Sequence, residues 1–121
     1  MRVFIYGLNT CEQRNVAINK YRKFLLYNNH QIVNKIIDAE VVLIWTCAFR
    51  EDFKNNSIAE IIRLKNEFSG DIVVSGCLPA IDRDLLDRHF DGCIINWKDG
   101  SKEIETYFGA PNKSISLVVW K

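Results

Sequence analysis

Short apolar runs alternate along this chain with stretches whose apolar residues recur at helical spacing. Arg2 to Tyr6 reads RVFIY, a β-rich run that stops at Gly7, as a strand does on entering a loop. From about Arg14 to Asn28, Ala17, Tyr21, Phe24 and Leu25 repeat with helical period, and Asn28-Asn29-His30 supplies a stop. Gln31 to Val33 reads as a brief second strand. Val41 to Trp45, VVLIW, shows no apolar–polar alternation, which predicts a central strand covered on both faces, as in a parallel sheet.

The second half repeats the alternation. A helix over about Arg50 to Phe68 is predicted to place Phe53, Ile61, Leu64 and Phe68, with Ile58 alongside, on one face, ending at Ser69-Gly70. Asp71 to Ser75 follows as a fourth strand. Asp82 is a candidate cap for a third helix running to Phe90 and burying Leu85 and Leu86, and Gly92 precedes the short apolar run Cys93-Ile94-Ile95. A last helix, about Ser101 to Tyr107, closes at Gly109. Strands alternating with helices require a parallel sheet with right-handed crossovers. The expectation is an α/β, flavodoxin-like, doubly wound domain with a five-stranded, mostly parallel sheet in the order 2-1-3-4-5. Gly109 to Ser114 is the one linker-like stretch, so the domain is expected to span residues 1–109.

Composition narrows the function classes. The 121 residues are 48% hydrophobic and 26% charged, enough apolar content for a single folded core. Lys plus Arg is 16 and Asp plus Glu 15, a net charge of +1, so no whole-molecule field draws in a polyanion. The longest apolar runs, Val41 to Trp45 and Ile115 to Trp120, are too short to cross a bilayer, and Met1 to Ile5 runs into polar residues without a signal-peptide core. The expected setting is the cytoplasm, with no membrane partner. In that compartment thiols stay reduced, so four cysteines argue for metal or redox chemistry before disulfides.

None of Cys11, Cys47, Cys77 and Cys93 forms a CxxC pair or has a suitably spaced histidine, so no zinc finger can be drawn. The predicted fold does what spacing does not. Ligands of doubly wound sheets bind beyond the carboxyl ends of the strands where the strand order reverses. Cys11 follows strand one, Cys47 follows strand three and Cys77 follows strand four, so three thiols are expected at one edge. Cys93 opens strand five and is expected at the opposite edge, in or near the core. Three converging thiolates suit an iron–sulfur cluster with one iron left open; by spacing alone, small buried core thiols are an equal alternative.

At these residues the sequence resembles a family. Leu43-Ile44-Trp45-Thr46-Cys47-Ala48-Phe49-Arg50-Glu51 is similar to the "V-I-N-T-C-A-V-R-E" segment of radical S-adenosylmethionine methylthiotransferases, and Val74-Ser75-Gly76-Cys77-Leu78-Pro79-Ala80 is similar to their "V-T-G-C-L-A-Q". Val3 to Cys11 resembles their opening strand and "Y-G-C-x-x-N", although Leu8-Asn9-Thr10 intervene here between Gly7 and the cysteine. Trp45 replaces the family Asn, and Asn15 lies four positions past Cys11 rather than three. The resemblance runs over roughly residues 1 to 108. It implies that Cys11, Cys47 and Cys77 bind an auxiliary [4Fe-4S] cluster that takes part in inserting sulfur into a C–H bond of a tRNA or a protein.

The CxxxCxxC motif that binds the second [4Fe-4S] cluster and S-adenosylmethionine is absent from these 121 residues. The resemblance therefore implies a partner radical domain, on the same or another chain, and no complete enzyme in this sequence. Residues 110–121, with the strand-like Ser114 to Lys121, are expected to be a linker and the start of a following domain; a self-contained small protein is the alternative. A flavodoxin-like electron carrier and an inert protein-interaction module remain as rival functions. Arg50 and Glu51 read as first-turn capping and solvation, Lys20, Arg22 and Lys23 as a solvated helix face, and His30 and His89 as helix-end residues where positive charge is favourable.

Overall fold

The computed structural model describes residues 1–8, 12–48, 50–95 and 107–108, the side chains of residues 12–15 excepted. The strands are β1 (Arg2–Gly7), β2 (Gln31–Ile32), β3 (Val41–Thr46), β4 (Asp71–Gly76) and β5 (Cys93–Ile94), and the helices are α1 (Glu12–Tyr27), α2 (Glu51–Glu67), α3 (Leu78–Ile81) and α4 (Arg83–Asp87). They form one five-stranded sheet, every pairing parallel, in the order β2-β1-β3-β4-β5. The expected architecture is the observed one.

Every residue of β3 is buried, as its unbroken apolar run requires of the middle strand. Alternation along the strands sorts the helices. Trp45 pairs with Gly7 and Ser75, and Tyr6 pairs with Ile44, one residue out of phase and so on the other face. Tyr21 of α1 bonds to Ser75, whereas Glu60 of α2 accepts from the Tyr6 hydroxyl. The two helices therefore cover opposite faces. In α1, Ala17, Tyr21, Phe24 and Leu25 are all buried; in α2, Ser57, Ile58, Ile61 and Leu64 are. Each large apolar side chain so covered stabilises the fold by about 1.5–3 kcal/mol.

Asn29, with φ 68, ends α1 in the left-handed region, and the His30 N–H closes on the Leu25 carbonyl at 2.9 Å. Three details depart from expectation. The third helix starts at its Asp82 cap as expected but ends as α4 at Asp87, short of Phe90, and a separate single turn, α3, precedes it with Pro79 at its first positions. Phe53 and Phe68 are only half-buried, at the two ends of α2: Phe53 lies under the Arg50 guanidinium at 4.5 Å, and Phe68 caps the last turn. A 3-10 turn at Ile36–Asp38, which periodicity does not reveal, leads from β2 to β3. Tyr107 and Phe108 are helical; the rest of the expected last helix and residues 109–121 lie outside the described residues. No helix among the described residues is long and apolar enough to cross a membrane.

Candidate functional site

β3 and β4 are neighbours in register, and their last paired residues are Thr46 and Gly76. Cys47 and Cys77 each stand one residue further on, at the carboxyl edge of the sheet, and both are buried, at 2% and 5% exposure. Strands in a sheet lie about 4.8 Å apart, so matching positions on adjacent strands bring these residues side by side. Cys11, the residue before α1, lies outside the described residues. Among those described, no three His, Cys, Asp or Glu side chains gather as a metal-ion site.

Hydroxyl groups fix the backbone around the pair. Ser57, on α2, accepts from the Cys47 N–H at 3.0 Å and donates to the Cys47 carbonyl at 2.9 Å. Thr46 donates its hydroxyl to the Ser75 carbonyl at 2.6 Å and accepts the Leu78 N–H at 3.3 Å, while its own carbonyl accepts the Cys77 N–H at 3.0 Å. Ser75 meets the Tyr21 hydroxyl at 2.7 Å, which ties α1 to the same edge. Sequence reasoning does not single out Thr46, Ser57 or Ser75 as site residues. A signal existed for Ser57, a polar residue four positions from both Phe53 and Ile61 on the apolar stripe of α2.

Gly76 turns the chain into Cys77. Its φ is 100, and a Cβ there would lie 2.4 Å from the Thr46 carbonyl oxygen, so both the conformation and the close approach demand glycine. Trp45, the residue in place of the family Asn, is buried at 1% exposure among the core side chains, and its carbonyl accepts the Leu8 N–H at 3.0 Å. Past the buried Ala48, at the start of α2, Arg50 is paired with Asp52 at 2.7 Å, both largely exposed. The Arg50 hydrogen bond holds the Asp52 carboxyl below its usual range. Arg50 and Glu51 are solvated as expected, but Arg50, at the N-cap of α2, makes no side-chain cap bond. Lys54 spans from Glu51 to Asp82 and so ties α2 to the start of α4.

Cys93 lies elsewhere. It pairs with Val73, three residues before Gly76, and is half-buried beside a cavity of about 370 Å³ lined by Lys65, Phe68, Asp71, Phe90 and Tyr107. Burial and then a 2.7 Å bond to Asp71 push the Tyr107 hydroxyl pKa up. His30 departs from its helix-end reading: burial and the neighbouring terminal ammonium lower its pKa, against a bond to the Phe108 carbonyl that raises it. Burial and the ammonium there outweigh the Phe108 carbonyl.

The family model of the uncharacterized protein family UPF0004 matches residues 6–96. The chain is 50% identical over 81 residues to the ribosomal protein uS12 methylthiotransferase RimO of Thermotoga sp. strain RQ2, covering 64% of this chain and 19% of that protein. It is 29% identical over 121 residues to the probable threonylcarbamoyladenosine tRNA methylthiotransferase of Pyrococcus horikoshii, covering 98% of this chain and 28% of that protein. A third relative, the probable threonylcarbamoyladenosine tRNA methylthiotransferase of Methanocaldococcus jannaschii, is 34% identical over 83 residues, 65% of this chain and 18% of that protein. The chain thus spans between 18% and 28% of the length of these relatives. With the matched region running from β1 to the end of β5, and both cysteine-bearing turns inside it, the chain belongs to family UPF0004, the amino-terminal domain of the methylthiotransferases.

Proposed function

We propose that this chain is the cluster-carrying domain of a radical S-adenosylmethionine methylthiotransferase, with Cys11, Cys47 and Cys77 as ligands of one [4Fe-4S] cluster. The observation that supports this is the burial of Cys47 and Cys77 at matching positions of neighbouring strands. Thiolate sulfur is the donor that iron–sulfur clusters take, so this pair fits such a group. Bound there, the cluster would supply sulfur-delivery chemistry for turning a C–H bond of a tRNA or protein into a thioether. S-adenosylmethionine and a second [4Fe-4S] cluster belong to a radical domain in the longer protein. Residues 1–109 form the cluster domain and residues 110–121 lead into the next, in a cytoplasmic enzyme.

What the chain's own residues do in this scheme is to hold three sulfurs at one sheet edge while β3 and the buried Trp45 close the core beneath. Burial of that kind tunes iron–sulfur potentials. Anaerobic reconstitution with iron and sulfide, read by absorbance and by iron per chain, is the test. Replacing Cys11, Cys47 or Cys77 by Ala is expected to abolish or cripple iron binding, while Cys93→Ala loads like the parent. Full iron uptake by the triple variant sinks the proposal. A flavin-binding or metal-free parent would instead support an electron carrier or an interaction module.

A further inference from the structure

Among the described residues four polar ones are buried, Asn28, Thr46, Ser57 and Ser75; three of these bear hydroxyls, of which those of Thr46 and Ser57 bond to the backbone around Cys47 and Cys77 and that of Ser75 to the Tyr21 hydroxyl. Buried hydroxyls cost free energy unless partnered, so their concentration at one edge of an otherwise apolar core calls for a reason. Their partners give it. A single Ser57 hydroxyl satisfies both polar backbone groups of Cys47, one as donor and one as acceptor, from a helix ten positions along the chain. Around Cys77, the Ser75 carbonyl, the Cys77 N–H and the Leu78 N–H all bond to Thr46, the residue before Cys47.

We infer that Ser57 and Thr46 are positioning residues that set the backbone of Cys47 against that of Cys77, and thereby the geometry in which the two thiols are presented to a metal cluster. The inference rests on the cluster-binding reading above. Its physical content is rigidity. A cysteine on a free loop samples many orientations, whereas here the peptide groups at both thiols are locked to each other through residue 46 and to α2 through residue 57. A ligand set held in place before the metal arrives loses less freedom on binding.

The hydroxyls can be removed with little change of shape. Ser57→Ala keeps a good helix former on α2, Thr46→Val keeps the β-branched side chain of a buried strand, and Thr46→Ser restores the hydroxyl. Each variant is prepared in the full chain without metal, and alkylation of Cys47, Cys77 and Cys93 by iodoacetamide is followed peptide by peptide under anaerobic conditions. Loss of two hydrogen bonds is expected to raise the local opening, and so the alkylation rate of Cys47 in Ser57→Ala and of Cys77 in Thr46→Val, by about tenfold or more. Cys93 serves as the internal reference and should stay within about twofold, since opening is local and not global. Thr46→Ser should return to the parent rate.

A second readout follows reconstitution: the electron paramagnetic resonance signal of the reduced cluster, which reports ligand geometry, is expected to shift or broaden in Ser57→Ala and Thr46→Val and to recover in Thr46→Ser. If Cys47 and Cys77 change only in step with Cys93, and the resonance signal matches the parent, the hydroxyls merely satisfy the backbone and the inference is overturned. Should Ser57→Ala fail to fold, the Thr46 pair of variants decides. A parent that takes up no iron defeats the cluster reading, yet the alkylation rates still judge the positioning role by itself.

Discussion

Gly76 shows how much one residue decides at this edge. The Cys77 turn needs φ 100, and there is no room for a side chain against the Thr46 backbone. Gly76→Ala is expected to destabilise the protein by about 3 kcal/mol, since a strained left-handed residue and a backbone clash add together. The midpoint of urea unfolding measures it; a change within experimental scatter would mean that the turn relaxes freely. From the sequence alone Gly76 was one letter of a family-like motif, because a positive φ is set by where the chain must go next and leaves no periodic trace. The same holds for His30, where burial and the terminal ammonium lower the pKa, surroundings that its place at a helix end does not reveal.

Among the elements, α4 illustrates a boundary that sequence chemistry places well and periodicity places poorly. Asp82 accepts from the Leu85 N–H at 3.2 Å, the cap expected of it, and its side chain also meets Lys54 at 3.3 Å. The Leu85 bond first and Lys54 next hold the Asp82 carboxyl below its ordinary range. Its contribution to stability is therefore present above the unfolded aspartate pKa and is lost as the pH falls through the depressed folded value. Asp82→Ala is expected to lower the melting temperature by a few degrees at neutral pH, whereas Asp82→Asn, which still caps but drops the charge pair, should remain close to the parent. Equal losses in the two variants would put the ion pair, and not the cap, in control. The separate α3 was not foreseen: Leu78–Ile81 is a single turn, too short to carry an apolar period, and it forms where the Cys77 turn delivers the chain.

For the molecule as a whole, the boundary at about residue 109 is the claim most open to direct test. The described residues form a five-stranded sheet, and an apolar segment such as Ile115 to Trp120 would be a liability if left unpaired. A chain ending at Ala110 is expected to fold and to bind as much iron as the full chain. If the shortened protein unfolds or loses iron, residues 111–121 are an integral part of this domain.

The order of elements, the parallel sheet and its strand sequence were legible in the amino-acid pattern, because unbroken apolar runs such as Val41 to Trp45 and helical stripes such as Ala17 to Leu25 are local signals of burial. The end positions of Cys47 and Cys77 followed from the same pattern. What only the tertiary structure decided is the pairing that surrounds them: Thr46 opposite Gly76, and hydroxyl bonds that join residues 10, 29 and 54 positions apart in the chain. A serine or threonine carries no mark of its distant partner in the sequence. Its bond exists only once apolar burial has brought two strands and two helices to the same edge, where an unpaired hydroxyl or peptide group would be costly.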